Sequence, residues 1–201
     1  MPVKTIFLLI MAYVLGGIPT GYIVVKLAKN TDIRKHGSGN IGFANVYRSA
    51  GPVLGVLVLV IDAVKGFVAA YFLATFLEPF PLYRFLFGVA AIAGNVLNPF
   101  MRFKGGKGAG TGLGVAAAVS PFALLAAIVV FGAVLAAWRY VSVSSLAGAA
   151  VFLASNALLY LYGPADRYGL MFAALLFVVI TIRHISNMKR LLNGEENKIG
   201  T

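Results

Sequence analysis

Apolar residues in this chain run on for stretches too long for strands and too evenly apolar for surface helices. Seven such segments are read along the 201 residues, at about 3–25, 53–77, 82–100, 108–120, 122–138, 143–162 and 168–184. A helical bilayer crossing takes about 20 mostly apolar residues, because backbone facing lipid must satisfy its own hydrogen bonds. The runs lack the apolar–polar alternation of a membrane β-barrel. The pattern therefore predicts an all-α integral membrane protein with seven transmembrane helices in a single membrane domain over 1–201. The fourth segment is short and Gly-rich, and Pro121 divides it from the fifth. One bent helix across both would leave six crossings, the main rival topology. Only Lys4 precedes the first apolar run, which carries Gly16, Gly17 and Pro19 and continues to Val25, so no cleavable signal peptide is expected.

Composition agrees with a bilayer setting. The chain is 60% hydrophobic and only 11% charged, against about 25% charged in soluble domains. It has no cysteine, which excludes disulfides, thiolate catalysis and Cys-ligated metals. Lys and Arg number 17 against 6 Asp and Glu, for a net charge of +11. That excess suits lipid headgroups or phosphates. A chain mostly buried in lipid is a poor nucleic-acid binder, so no nucleic-acid partner is expected.

The placement of these charges predicts orientation. With seven crossings, Lys4, Arg84 and Arg167 fall on the N-terminal side. Lys26, Lys29, Arg34, Lys35, Arg48, Arg102, Lys104, Lys107, Arg139, Arg183, Lys189, Arg190 and Lys198 fall on the other, and Lys65 lies within a segment. The excess of basic residues marks the cytoplasmic side. The N-terminus is then outside and the C-terminus cytoplasmic, in a multi-pass membrane protein.

Four constellations on that side could carry chemistry. The first is Gly37-Ser38-Gly39-Asn40-Ile41-Gly42 with Asn45 and Arg48. Glycines allow close backbone approach, and Ser38, Asn40, Asn45 and Arg48 offer groups for an oxyanion. A Gly-rich surface turn beside a headgroup-binding cluster explains it equally well. Its G-x-G-x-x-G spacing is no dinucleotide fingerprint, since no strand precedes it. The second is Arg102-Phe103-Lys104-Gly105-Gly106-Lys107-Gly108, after Gly94-Asn95-Val96-Leu97-Asn98-Pro99. Lysines and glycines ahead of a helix read as a phosphate nest of backbone N–H groups and two ammonium groups. It is no P-loop, because Met101 stands at the first glycine position and Gly108 follows Lys107. The third, Trp138-Arg139-Tyr140-Val141-Ser142, by itself reads as interfacial anchoring. The fourth begins at Arg183-His184. If helix continues, Asn187 shares a face with His184, which could accept a proton; the alternative is a basic helix on anionic lipid. Gly108-xxx-Gly112 and Gly110-xxx-Gly114 fit close helix packing. Asp62 and Lys65, at i and i+3 inside a segment, read as a structural ion pair. The scattered acids offer no metal-ligand spacing, so no metal and no cofactor are expected. Together the constellations imply one anion-binding active site at the cytoplasmic membrane boundary.

The motifs, taken in order, resemble the bacterial acyl-phosphate:glycerol-3-phosphate acyltransferases (PlsY family) over nearly the whole chain. Gly37–Gly42 with Asn45 and Arg48 looks like the family's first motif. Gly94–Pro99, Phe103–Gly108 and Thr111 look like the second. Arg139–Ser142 is similar to the fifth-loop segment. Arg183-His184, Asn187, Arg190-Leu191, Gly194 and Glu196 resemble the third motif. Two places depart: Asn95 stands where His is usual, and Phe43-Ala44-Asn45 where Ala-Thr-Asn is usual. The resemblance implies transfer of a fatty acyl group from acyl phosphate to the 1-hydroxyl of glycerol 3-phosphate, giving 1-acylglycerol 3-phosphate and phosphate. It implies direct attack without an acyl-enzyme, with His184, Asn187 and Ser38 as catalytic residues. Gly39, Asn40, Asn45, Arg48, Lys104, Gly105, Gly106, Lys107, Arg139 and Ser142 would bind substrate or phosphate. The His-x4-Asp motif of thioester-using acyltransferases is absent: Lys189 and Ile41 stand at that spacing after His184 and His36. The rival functions are a membrane transporter for glycerol phosphate or phosphate, and a lipid-binding scaffold.

Overall fold

The computed structural model describes residues 2–200, and every regular element among them is helical. These elements include nine α-helices, all but the third arising from the apolar segments: α1 (Pro2–Gly17), α2 (Thr20–Lys29), α3 (Phe43–Ala50), α4 (Pro52–Phe67), α5 (Phe80–Val96), α6 (Ala109–Val119), α7 (Pro121–Trp138), α8 (Val141–Tyr162) and α9 (Arg167–Leu192). A π-helical turn, Val68–Phe72, and a 3-10 turn, Ala74–Phe76, prolong α4. Six stretches are long and apolar enough to cross a membrane: Pro2–Lys29, Pro52–Phe76, Phe80–Met101, Pro121–Trp138, Val141–Tyr162 and Arg167–Leu192. Helix α6 has only 11 residues, about 16 Å at the usual rise and half the hydrocarbon thickness. It and α7 are separate helices, interrupted at Ser120 with Pro121 in the first turn of α7.

Three boundaries differ from the sequence expectation. The first apolar run is two helices, broken at Ile18 and Pro19, because Pro19 lacks an N–H and its ring obstructs a continuous helix. Helix α9 continues eight residues past the expected end at 184, to Leu192. The first loop contains a helix of its own, α3, whose residues Val46 and Ala50 are buried in a cluster with Val25, Ile33, Ile41 and Val58.

The chain forms two compact units, Met1–Val119 and Ser120–Thr201, where the sequence reads as one domain. In the first, α1 packs on α5 and α4 on α6. These approaches need glycine. A methyl at Gly16 would collide with the Ala91 carbonyl, and one at Gly114 with that of Ala63, so the small-residue face of α6 does serve helix packing. In the second unit, α7 packs on α8 and α8 on α9, with Phe152 and Phe172 edge to face at the latter contact.

The break in the first run exposes backbone carbonyls in an apolar setting, where unpaired polar groups are costly. Side chains distant in sequence fill the gap. Asn98 Nδ2 donates to the Gly17 carbonyl at 2.6 Å, and Lys65 Nζ donates to that of Ile18 at 2.8 Å. Lys65 is also 2.7 Å from Asp62 Oδ1. The structural ion pair expected of these two therefore exists, and Lys65 pins the helix break as well. Both Lys65 and Asn98 are almost fully buried.

Candidate active site

In the first unit, the loop after α2 is organised by Asn45, 2% exposed on α3. Its Nδ2 donates to the Asn40 carbonyl at 2.8 Å and to that of His36 at 3.0 Å, while its Oδ1 accepts from the Ser38 N–H at 2.9 Å. The amide expected to meet substrate is thus spent on holding the loop. Asn40 Oδ1 accepts from the Gly42 N–H at 2.8 Å, setting the entry to α3. Gly37 and Gly39 sit at φ +56° and +71°, where a side chain would be strained. What the loop presents outward is the Ser38 side chain; Arg48, one turn beyond Asn45, is half-buried.

In the Lys104–Gly108 segment, four of the five backbone N–H groups are paired within the protein. Those of Lys104, Gly105 and Gly106 donate to the carbonyls of Met101, Val96 and Asn95 at 3.0, 3.1 and 3.0 Å. That of Gly108 donates to Asn95 Oδ1 at 3.1 Å. A methyl at Gly105 would collide with the Asn95 carbonyl, and one at Gly106 would stand 2.7 Å from Asn95 Oδ1. The glycines are there so that the segment can lie flat on the end of α5. This fixes the backbone from which Lys104, exposed, and Lys107, half-buried, project beside the first turn of α6.

In the second unit, the extension of α9 puts His184 and Asn187 on one face, 3% and 5% exposed. His184 Nδ1 is 2.8 Å from the Ile180 carbonyl oxygen. That oxygen can only accept, so Nδ1 carries the proton and the lone pair of the neutral ring lies on Nε2. Asn187 Nδ2 donates to Glu196 Oε1 at 2.6 Å, and Ser142 Oγ donates to the same oxygen at 2.9 Å. Arg190 Nε donates to Glu196 Oε2 at 2.9 Å. Ser142, expected to assist at phosphate, is therefore buried on a carboxylate. Burial pushes the Glu196 carboxyl up, but the bonds from Asn187 and Ser142 and the charge of Arg190 outweigh it and hold it below the usual carboxylate value. The Arg139 carbonyl accepts from the Ile199 N–H at 2.8 Å, while its side chain is exposed at the left-handed C-cap of α7.

The sequence-expected residues thus divide into two groups. Ser38, Gly39, Asn40, Asn45, Arg48 and Lys104 to Lys107 lie in the first unit, and Arg139, Ser142, His184 and Asn187 in the second. Among the described residues, no three His, Asp or Glu side chains gather as metal ligands. The sequence model of a family described as glycerol-3-phosphate acyltransferase matches residues 6–194. The chain belongs to the glycerol-3-phosphate acyltransferase family.

Relatives of that family agree over nearly their full length. A glycerol-3-phosphate acyltransferase of Geotalea daltonii is 40% identical over 194 residues, 96% of each chain. One of Bacillus velezensis is 39% identical over 192 residues, again 96% of each. The chain is also similar to solved structures of PlsY (YgiH), an integral membrane glycerol 3-phosphate acyltransferase. Its glycerol 3-phosphate form matches with a TM-score of 0.88 and 36% identity, over 98% of this chain and 96% of that one. Its lysophosphatidic acid form matches with a TM-score of 0.85 and 35% identity. Against the family pattern, Asn95 departs without leaving a gap. Its side chain is buried and receives the Gly108 N–H, so it holds the lysine segment in place. Three residues that matter here were not singled out as site residues from sequence: Asn98, Lys65 and Glu196. For Glu196 the sequence carries two signals: its place in the motif that begins at Arg183-His184, and the scarcity of acids, 6 in 201 residues.

Proposed function

We propose that this chain transfers a fatty acyl group from acyl phosphate to the 1-hydroxyl of glycerol 3-phosphate. The products are 1-acylglycerol 3-phosphate and inorganic phosphate. The hydroxyl oxygen forms the new ester bond, the acyl–phosphate bond breaks, and the hydroxyl proton leaves with a base. Phosphate departs readily, so direct attack suffices and the protein's contribution is positioning and charge stabilisation. The carrying observation is the pair Lys104 and Lys107 on a backbone fixed to the end of α5, which suits a phosphate-bearing substrate.

In this reading Lys104, Lys107, Arg48, Ser38 and Arg139 meet phosphate groups through their side chains. Gly39, Gly105 and Gly106 shape the two loops, and Asn40 and Asn45 hold the first. His184 Nε2 accepts the proton of the attacking hydroxyl. Asn187 and Ser142 act through Glu196 to hold the α9 extension and the loop after α7. The protein lies in the bacterial inner membrane with its N-terminus outside. In this reading the short α6 is the helical part of a seventh crossing, a topology supported by the 13 basic residues it assigns to the cytoplasmic side against 3 on the other.

One observation favours a transporter, the rival function: the first apolar run is a broken helix, a device transporters use for substrate and ion sites. Here, however, the carbonyls freed at Gly17 and Ile18 are taken by Asn98 and Lys65, which argues for a structural break. The test is purified protein with palmitoyl phosphate and glycerol 3-phosphate, following phosphate and lysophosphatidic acid together, with palmitoyl-CoA as a parallel donor. Equal release of both products from acyl phosphate alone is expected. Activity only with the CoA donor would overturn the donor assignment.

A further inference from the structure

Arg34 counts, in the sequence, among the basic residues of the first cytoplasmic loop, beside Lys35 and His36. Its guanidinium is already engaged on three sides. Nε is 2.9 Å from Asp32 Oδ1 and 3.2 Å from Oδ2, and Nη2 is 2.7 Å from Oδ2. The flat face stacks on the Tyr22 ring, 4.9 Å from its centroid. Nη1 points at Met101 Sδ, 3.7 Å away. Three of the five N–H groups of the fork are engaged in this way, and its charge is answered by Asp32.

Met101 is the other half of the argument. Its side chain packs with Tyr22 against the cluster of Val25, Ile33 and Val46 that anchors the first loop. Its carbonyl receives the Lys104 N–H at 3.0 Å. Between them, Arg102 and Phe103 are consecutive non-glycine residues at φ +52° and +59°. Such a conformation persists only where surrounding contacts over-determine it. The Phe103 N–H to the Asn98 carbonyl at 2.8 Å is one such contact, and Arg34 on Met101 is another. On the loop side, a methyl at Gly39 would stand 3.1 Å from the Arg34 carbonyl.

We infer that Arg34 is a positioning residue, which with Asp32 clamps the Ser38–Asn45 loop to the Met101–Lys104 turn and so sets the phosphate-binding geometry without itself meeting phosphate. The inference rests on Lys104 as a phosphate ligand. The bond from Arg34 also holds the Asp32 carboxyl down at about 2, so the pair is ionised throughout the working range of an enzyme.

Two variants decide the sign. Asp32→Asn keeps the volume and the acceptor that caps Arg34 N–H at 3.0 Å, but removes the charge. Arg34→Lys keeps the positive charge, but loses the fork and the stacking face. Both are made in the full chain, checked for monodispersity, and measured for kcat, for KM toward both phosphate-bearing substrates, and for amide hydrogen exchange over residues 99–106. The clamp predicts that each variant raises at least one KM about three- to ten-fold with kcat within twofold, and speeds exchange in that segment at least threefold. A lower KM in Asp32→Asn would overturn it, because a freed Arg34 would then be a phosphate ligand in its own right. Wild-type KM in Arg34→Lys would overturn it too, since charge alone would suffice, as would unchanged exchange in both. Failure of the acyl-transfer reading shows separately, as absence of product from the wild-type protein. Exchange alone then decides the clamp, with the same threshold.

Discussion

Glu196→Gln is the sharpest single perturbation of the second unit. The carboxylate receives Ser142 and Asn187 on one oxygen and Arg190 on the other, and its side chain is 3% exposed. Glutamine can keep the first two bonds at Oε1, but as bonds to a neutral acceptor. Charge-assisted bonds are worth about 1.5–3 kcal/mol and neutral ones about 0.5–1.5 kcal/mol, so the two together lose about 2–3 kcal/mol. The other end of the new amide would present an N–H group to Arg190 Nε. Arg190 is 33% exposed and can turn to water, so this loss is held to about 0.5–1 kcal/mol. The sum is about 2.5–4 kcal/mol, enough to lower Tm by several degrees in a thermal-shift assay in detergent. The pH dependence has a definite sign. The folded carboxyl lies below its unfolded value, so its stabilisation is full above the usual carboxylate range and fades as pH falls through the folded value. The gap between wild type and variant must therefore narrow on acidification below about pH 4.5. A variant whose Tm matches wild type at pH 7, or a gap that widens in acid, would refute the reasoning.

Three further outcomes follow from the same geometry. Asn45→Ala removes three bonds of 2.8–3.0 Å that hold the first loop; at about 0.5–1.5 kcal/mol each, it should lower stability and raise KM for a phosphate substrate, and unchanged values of both in a thermal-shift and kinetic assay would count against it. Lys104→Ala and Lys107→Ala should each raise KM at least tenfold with little loss of fold, and unaltered kinetics in both would misplace the phosphate pocket. His184→Ala should cut kcat by about 10²–10⁴ if Nε2 is the base, and wild-type turnover in a folded variant would leave a substrate phosphate as the proton acceptor.

Much of this architecture is written in the hydrophobic pattern. Every one of the seven apolar segments contains helix, and the small-residue face at Gly110 and Gly114 packs on α4 as its spacing predicts. The break at Ile18–Pro19 is legible only in part. Gly-Gly-Ile-Pro inside an apolar run warns of an interruption, but the groups that make it tolerable, Asn98 and Lys65, come from 81 and 47 residues away. The Lys-Gly-Gly-Lys-Gly segment teaches the same lesson. Its glycines do mark close approach, yet glycine does not say what approaches; here it is the end of α5. Conversely, Asn45 and Ser142 have the side chains of ligand-binding residues and are consumed inside the protein. Polar residues near a site are divided between touching substrate and holding those that touch it, and that division is set by three-dimensional contact.

The central claim is that the chain performs acyl transfer rather than moving its polar substrate across the membrane. It is tested most directly in sealed proteoliposomes carrying palmitoyl phosphate in the bilayer and given radiolabelled glycerol 3-phosphate outside. The account predicts that label moves into solvent-extractable lysophosphatidic acid, in step with phosphate release, and only when palmitoyl phosphate is present. Label that accumulates inside the vesicles as unchanged glycerol 3-phosphate, with no labelled lipid, would contradict it.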